Sequence, residues 1–526
     1  MEGTEGRSRR LLASMLGSDR RIWTAVFIVV LGTITCWAVA APYFSGPDEA
    51  SHDARVWSIS RGVLLGADLT GADGQQGGNR IVEVPRWLAL SEADPHCFKA
   101  EPDVPASCTT LSVDTTTVET PTTAGAQLPF TYLPSALGFV VADRGPGLLL
   151  VRVLGGVLTA ALLASSVVTA SRCRARRWLV PSLALACPPM FLYIAAMTNP
   201  SGPEIAAAIA VWVSLLALAL DGDTDSGTDT RVLVRLAAGA VTLVLARQLG
   251  PVWLAAIVVL MLPYLGRSRI RTLVADRRVH LVAAAVVVAG VVWGLWLVIV
   301  RPLATIDTGF GTTERGMSIL RTQTGRLWDL TEEAVGVFGW IETRATMFTY
   351  VTWTFGVLLL VALCWMTARR WRAVAPVVVL GVAIMIQTLA EYRSVPTMGY
   401  FWQGRYTLPL LVGVPLVAGA GLGIAERMPR PSPSAVRAGA VLIGLAAFAA
   451  FAQLLRRYSV GADGPIDFFF SPEWKPPLPI PLLLVGFAAL TAAWLVMLGW
   501  LATTDRPAGS VTEPRVPPSR DVSAGG

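Results

Sequence analysis

The chain has 526 residues, of which 53% are hydrophobic and only 15% charged, with a mean hydropathy of +0.56. Soluble domains carry about 25% charged residues, so the composition excludes a soluble globular class and implies a polytopic membrane protein. The net charge of +7 is almost entirely arginine, since lysine occurs only at Lys99 and Lys475. It lies in short loops without interleaved aromatics, which reports orientation by the positive-inside rule and not nucleic-acid binding.

Residues 1–21 are polar and basic, and an apolar run follows to Ala41. The run is long enough to span and Ala-Pro-Tyr-Phe after it is a poor cleavage context, so an uncleaved first span with its N-terminus inside is expected.

Just beyond it comes Gly46-Pro47-Asp48-Glu49-Ala50-Ser51-His52-Asp53-Ala54-Arg55. Pro47 suits the first position of a helix, and at 100° per residue Asp48, His52 and Arg55 share one face. A carboxylate, an imidazole and a guanidinium then meet at the membrane boundary. The competing explanation is that Asp48 and Glu49 only complement the helix dipole, for about 0.3–1 kcal/mol each.

Residues 42–127 form the largest loop, running through Gly-rich turns (Gly71 to Gly78) to Cys97 and Cys108 and then an extended Thr-rich stretch, Thr109 to Thr123. On the extracytoplasmic side Cys97 and Cys108 pair as a disulfide. Cys36, Cys173, Cys187 and Cys364 lie in or beside apolar runs, without metal-site spacing. The Pro-rich segment from Gln127 to Pro134 and the short apolar run after it are expected to lie in the interface.

Further spans are expected at 148–170, 179–198, 205–220, 231–248, 250–265, 281–300, 346–367, 374–390, 405–425, 436–454 and 479–501, about twelve in all. This arrangement puts Arg172–Arg177, Arg267–Arg278, Arg369–Arg372 and Arg427–Arg437 inside, with both termini cytoplasmic. The domains are then a cytoplasmic segment 1–21, a membrane domain 22–501 with large outer loops at 42–127 and 301–345, and a disordered tail 502–526.

Smaller outer loops collect polar residues. Asn199 and Glu204 flank a turn; Arg247-Gln248 ends a span; Phe338-Gly339-Trp340 closes the 301–345 loop; Arg393 and Gln403-Gly404-Arg405-Tyr406 occupy the loop 391–406. An ionisable residue near a span is a functional candidate, with snorkelling to the interface the alternative for Arg247 and Arg405.

Four stretches together resemble a bacterial membrane-protein family known as domain-of-unknown-function family 2142: Pro47–His52, Pro188-Pro189-Met190-Phe191 through Asn199-Pro200, Phe338-Gly339-Trp340, and Gln403–Tyr406 with Leu408-Pro409-Leu410. The Cys97–Cys108 segment and the arginine bias are similar to actinobacterial members. That family in turn resembles the C-type (GT-C) glycosyltransferases, multi-span enzymes that use polyprenyl-phosphate-linked sugars and carry an acidic motif in the first external loop. The resemblance implies an all-α GT-C-like bundle of about twelve spans in the cytoplasmic membrane, with juxtamembrane helices on its first outer loop. It also implies transfer of a sugar from a polyprenyl-phosphate donor to a cell-envelope glycan or lipid acceptor.

Such chemistry needs a base and cations for the leaving phosphate. Asp48 is the expected base, with Glu49 close behind and His52 as proton relay or phosphate ligand. Arg55, Arg247, Arg393 and Arg405, with Gln403 and Tyr406, are the expected phosphate- and substrate-binding set. A divalent ion (Mg or Mn), if used, would fall to Asp48, Glu49 and Asp53. The rivals are a lipid-linked-saccharide flippase or other transporter, and a non-catalytic envelope scaffold. No internal repeat is seen and the polar residues gather at one face, against the transporter pattern.

Overall fold

The computed structural model describes residues 16–70, 76–93, 97–221, 229–300, 311–426 and 428–504. The expectations for most of the N-terminal basic segment and for the tail after 504 lie outside these residues.

The first span is α1 (Asp19–Ala40), begun by Ser18, whose side chain caps Arg21 N. Next come α2 (Glu49–Ser60), β1 (Ala67–Thr70), β2 (Gln76–Pro85), α3 (Arg86–Ala93), β3 (Thr117–Thr122) and α4 (Leu133–Val141). The bundle continues with α5 (Arg144–Arg172), α6 (Arg176–Leu185), α7 (Pro189–Ala196), α8 (Ser201–Leu220), α9 (Thr230–Ala246), α10 (Gly250–Ala275) and α11 (Arg277–Val300). Then follow α12 (Met317–Gly325), α13 (Leu327–Gly336), the hairpin β4 (Val337–Phe338) and β5 (Thr343–Arg344), α14 (Met347–Thr367) and α15 (Trp371–Met398). After a 3-10 turn at Gly404–Thr407 come α16 (Leu408–Leu411), α17 (Gly413–Gly423), α18 (Pro433–Val460) and α19 (Ile480–Thr503).

The molecule is an all-α polytopic membrane protein. Among the described residues ten helical segments are long and apolar enough to cross a bilayer, or eleven if α6 and α7 count as one span bent by 64°. The bend falls where Pro188 and Pro189 remove consecutive backbone donors. The difference from the expected twelve lies at the bent α6–α7 pair and at α9, whose 17 residues stand at the lower end of the length that crosses a bilayer. The α8 window is 94% buried and forms the hub, whereas only 6% of the α11 window is buried.

The extended loop expected after Cys108 does more than extend. β3 pairs antiparallel with β2, and β2 with β1, in a small three-stranded sheet. Val82 and Val84 of β2 pack with Val56, Ile59, Trp87 and Phe139 in a second core, which seats this layer on α4 and α5. Cys97 and Cys108 form the expected disulfide. Arg457, at the end of α18, donates to the carbonyls of Phe98, Glu101 and Val104 and so anchors that cysteine loop to the bundle.

Candidate active site at the loop end of the bundle

The acidic helix starts later than expected. Pro47 precedes it, and Asp48 is its N-cap in a left-handed conformation, φ 59°. Aspartate tolerates that region better than most residues. Asp48 makes no side-chain capping bond, so its part in starting the helix is limited to complementing the dipole. Its carboxylate is half exposed and faces Arg405, Oδ2 lying 3.6 Å from Nη2.

Glu49 points the other way. It is fully buried and accepts from Arg152 Nε at 2.6 Å and Nη2 at 2.7 Å, from Gly46 N at 3.0 Å and from Thr198 N at 3.3 Å. Arg152 also donates to the carbonyls of Ala38, Ala41 and Pro42, the orphan acceptors where α1 ends. Glu49 is therefore a tie between α1, α2 and α5, and the expectation of a second catalytic carboxylate is corrected. Arg152 was missed by the sequence reading, although an arginine inside an apolar span is itself a signal.

His52 is buried, with Nδ1 2.8 Å from the hydroxyl of Tyr132. Burial pushes its pKa down to about 3; Asp48 opposes this, while Arg247 and Arg405 reinforce it. Burial also raises the Tyr132 hydroxyl, so the phenol and the imidazole share this hydrogen bond as a neutral pair. A neutral imidazole is no cationic phosphate ligand, which corrects that part of the expectation.

The second wall comes from the 403–407 turn and the α9–α10 break. Arg405 is 3% exposed, its Nη2 lies 3.2 Å from Tyr406 Oη, and its Nε has no hydrogen-bond acceptor. Arg247 Nη1 donates to Ser201 Oγ at 2.5 Å. Both guanidinium carbons lie 4.9 Å from the Tyr406 ring centre, so one phenol contacts two cations. Glu204 neighbours Arg247 and bonds Trp253; it sits in the first turn of α8, where a free turn was expected.

The turn carrying Arg405 is clamped by two carboxylates. Glu333 Oε2 accepts from Gly404 N at 2.7 Å. Glu391 Oε1 accepts from Trp402 N at 2.8 Å and from Arg326 Nη1 at 3.2 Å. A Cβ on Gly404 would stand 2.0 Å from Leu330 O, so only glycine fits this approach. Asn199 Nδ2 donates to Pro47 O, and Tyr193 Oη links Ser45 O with Gly339 N. All four sequence motifs thus meet at one end of the bundle.

Two expected ligands lie elsewhere. Arg55 is buried and its Nη2 donates to the carbonyls of Leu64 and Gln127, clipping loop segments together. Arg393 is exposed on α15, which runs through the expected 391–398 loop, and no described contact ties it to Asp48. Gln403 is partly buried, with Oε1 lacking a partner. The proposed metal ligands do not fit an ion: Glu49 is saturated by Arg152, Asp53 is buried near Arg152, and among the described residues no three Asp, Glu, His or Cys side chains converge.

Fold and site together define a multi-pass membrane protein with a polar cluster at one end of its bundle, where a half-exposed carboxylate faces the shielded Arg405. The chain belongs to the family described as predicted membrane protein (DUF2142), whose model matches residues 31–414. Similar solved structures include ArnT from Cupriavidus metallidurans bound to undecaprenyl phosphate, at 14% identity and a TM-score of 0.42, covering 91% of this chain and 77% of that one. ArnT from the same organism in the apo state gives 14% identity and a TM-score of 0.41, with 92% and 78% coverage. No curated protein matches the chain.

Proposed function

We propose that this protein is a membrane glycosyltransferase that moves a sugar from a polyprenyl-phosphate donor to a cell-envelope glycan or lipid acceptor at the outer face of the cytoplasmic membrane. The observation that carries the reading is the opposition of Asp48 and Arg405 at 3.6 Å, the carboxylate half exposed and the guanidinium shielded with Nε unpaired. Asp48 takes the proton of the acceptor hydroxyl as its oxygen attacks the anomeric carbon. The bond from that carbon to the phosphate oxygen breaks, and the phosphate keeps the electron pair. Arg405 and Arg247, both against the Tyr406 ring, compensate the charge that develops on the phosphate.

His52 and Tyr132 act in this scheme as a neutral pair that shapes the wall behind Asp48. The positive-inside pattern supports an outer position for this cluster. A lipid translocator is the rival favoured by one observation, the broken α6–α7 span. It is separated by experiment. Protein reconstituted in vesicles is given radiolabelled polyprenyl-phosphate sugars and an envelope acceptor fraction. Transfer of label to the acceptor supports the enzyme; movement of labelled lipid between leaflets without transfer supports translocation.

A further inference from the structure

A cavity of about 400 Å³ lies between α12 and α15, apart from the Asp48 cluster. Its apolar side includes Met317, Leu320 and Ile384, and its polar side Arg321, Gln323 and Thr388. Gln323 is 3% exposed, yet neither its Oε1 nor its Nε2 has a hydrogen-bond partner. A buried amide left unpaired on both atoms is costly, so a group that supplies both an acceptor and a donor fits there. Arg321 is exposed at the same cavity, its guanidinium open to an anionic group.

Two features say from which phase the ligand comes. Ile384 lies at the middle of α15, a membrane-spanning helix, so the inner part of the cavity is at membrane depth. Met317 and Leu320 on α12 are 72% and 38% exposed, which suits a short helix resting in the interface with its apolar side toward lipid. A soluble metabolite would have no use for that apolar side.

We propose that this cavity is a regulatory or structural lipid site that takes an anionic glycerolipid. The phosphodiester meets Arg321, a headgroup hydroxyl and an ester oxygen satisfy Gln323, and an acyl chain runs along Met317, Leu320 and Ile384. Arg326 and Leu327 follow α12 directly, and Arg326 holds Glu391 and the Trp402 carbonyl. A lipid in this cavity therefore braces the clamp that sets Arg405. The site is independent of the sugar-transfer reading and is tested without an activity assay.

The test is native mass spectrometry and thermal melting of the delipidated full chain, titrated with phosphatidylglycerol, phosphatidylcholine, glycerol phosphate or inorganic phosphate. Phosphatidylglycerol is expected to be retained and to raise the melting temperature, with phosphatidylcholine weaker by about tenfold or more, because its trimethylammonium group replaces the headgroup hydroxyl that pairs with Gln323 and offsets the phosphodiester charge that meets Arg321. Arg321→Ala weakens retention of both lipids, whereas Gln323→Leu removes the preference and leaves the lipid-free melting temperature unchanged or raised. Equal binding of both lipids, unchanged retention in Arg321→Ala, or a preference surviving Gln323→Leu overturns the proposal. Stabilisation by inorganic or glycerol phosphate alone also overturns it, since the ligand is then soluble. If Gln323→Leu fails to fold, Thr388→Leu serves as the second cavity variant under the same criteria.

Discussion

Glu49 and Arg152 meet through two parallel bonds of 2.6 and 2.7 Å with neither side chain accessible, while the adjacent Asp48 turns its carboxylate toward Arg405. One peptide unit thus separates a buried, ion-paired carboxylate from a half-exposed one. The left-handed backbone at Asp48 is what sends the two side chains apart.

Breaking a buried ion pair from one side leaves an uncompensated charge and costs about 3–5 kcal/mol. Glu49→Gln is therefore expected to lower the melting temperature of the solubilised protein sharply, and Asp48→Asn to leave it nearly unchanged. An equal effect of the two substitutions would contradict the division of labour.

Gly404→Ala is expected to displace the Arg405 turn, because the new Cβ meets the backbone oxygen of Leu330 at 2.0 Å. At Gly46 the same change meets only the flexible Met197 side chain, at 2.7 Å, and should be milder. Limited proteolysis near residue 404, compared between the two variants, checks this.

The His52 pKa of about 3 lies below the ordinary value of 6.5. Below pH 6.5 the unfolded chain binds a proton that the folded chain refuses, so stability falls as pH drops from 6.5 toward 3. The loss is on the order of 2 kcal/mol by pH 5. His52→Gln should flatten this acid limb of the melting-temperature profile, and an unchanged limb would contradict a buried neutral imidazole. Transfer activity should show no inflection near pH 6.5.

Arg405→Lys is not conservative here, since it removes the planar fork and its contact with the Tyr406 ring. Donor KM is expected to rise by about tenfold or more, the worth of one charge-assisted hydrogen bond. Arg393→Lys should change nothing measurable, because that side chain is exposed and keeps its charge in the variant.

The spans were legible because twenty apolar residues have few other uses, and the disulfide because only Cys97 and Cys108 share a polar loop. The meeting of Pro47–Glu49, Tyr193–Asn199, Phe338–Gly339 and Gly404–Tyr406 followed from motifs that topology leaves at one end. What stayed hidden depends on long-range partners. Glu49 looks as reactive as Asp48 until Arg152, 103 residues later, is placed against it. Arg55 shares its helix with Asp48 but finds backbone carbonyls instead. The sheet was masked because glycine and threonine in β2 and β3 read equally as turns, and only their pairing decides.

The most direct test of the central claim is the rate of sugar transfer by Asp48→Asn under single-turnover conditions, with donor binding measured in parallel. The account predicts a fall of about 10²- to 10⁴-fold, the usual worth of a positioned base, with donor affinity and melting temperature little changed. Transfer at the wild-type rate in this variant would show that Asp48 is not the base and would contradict the assignment of the site.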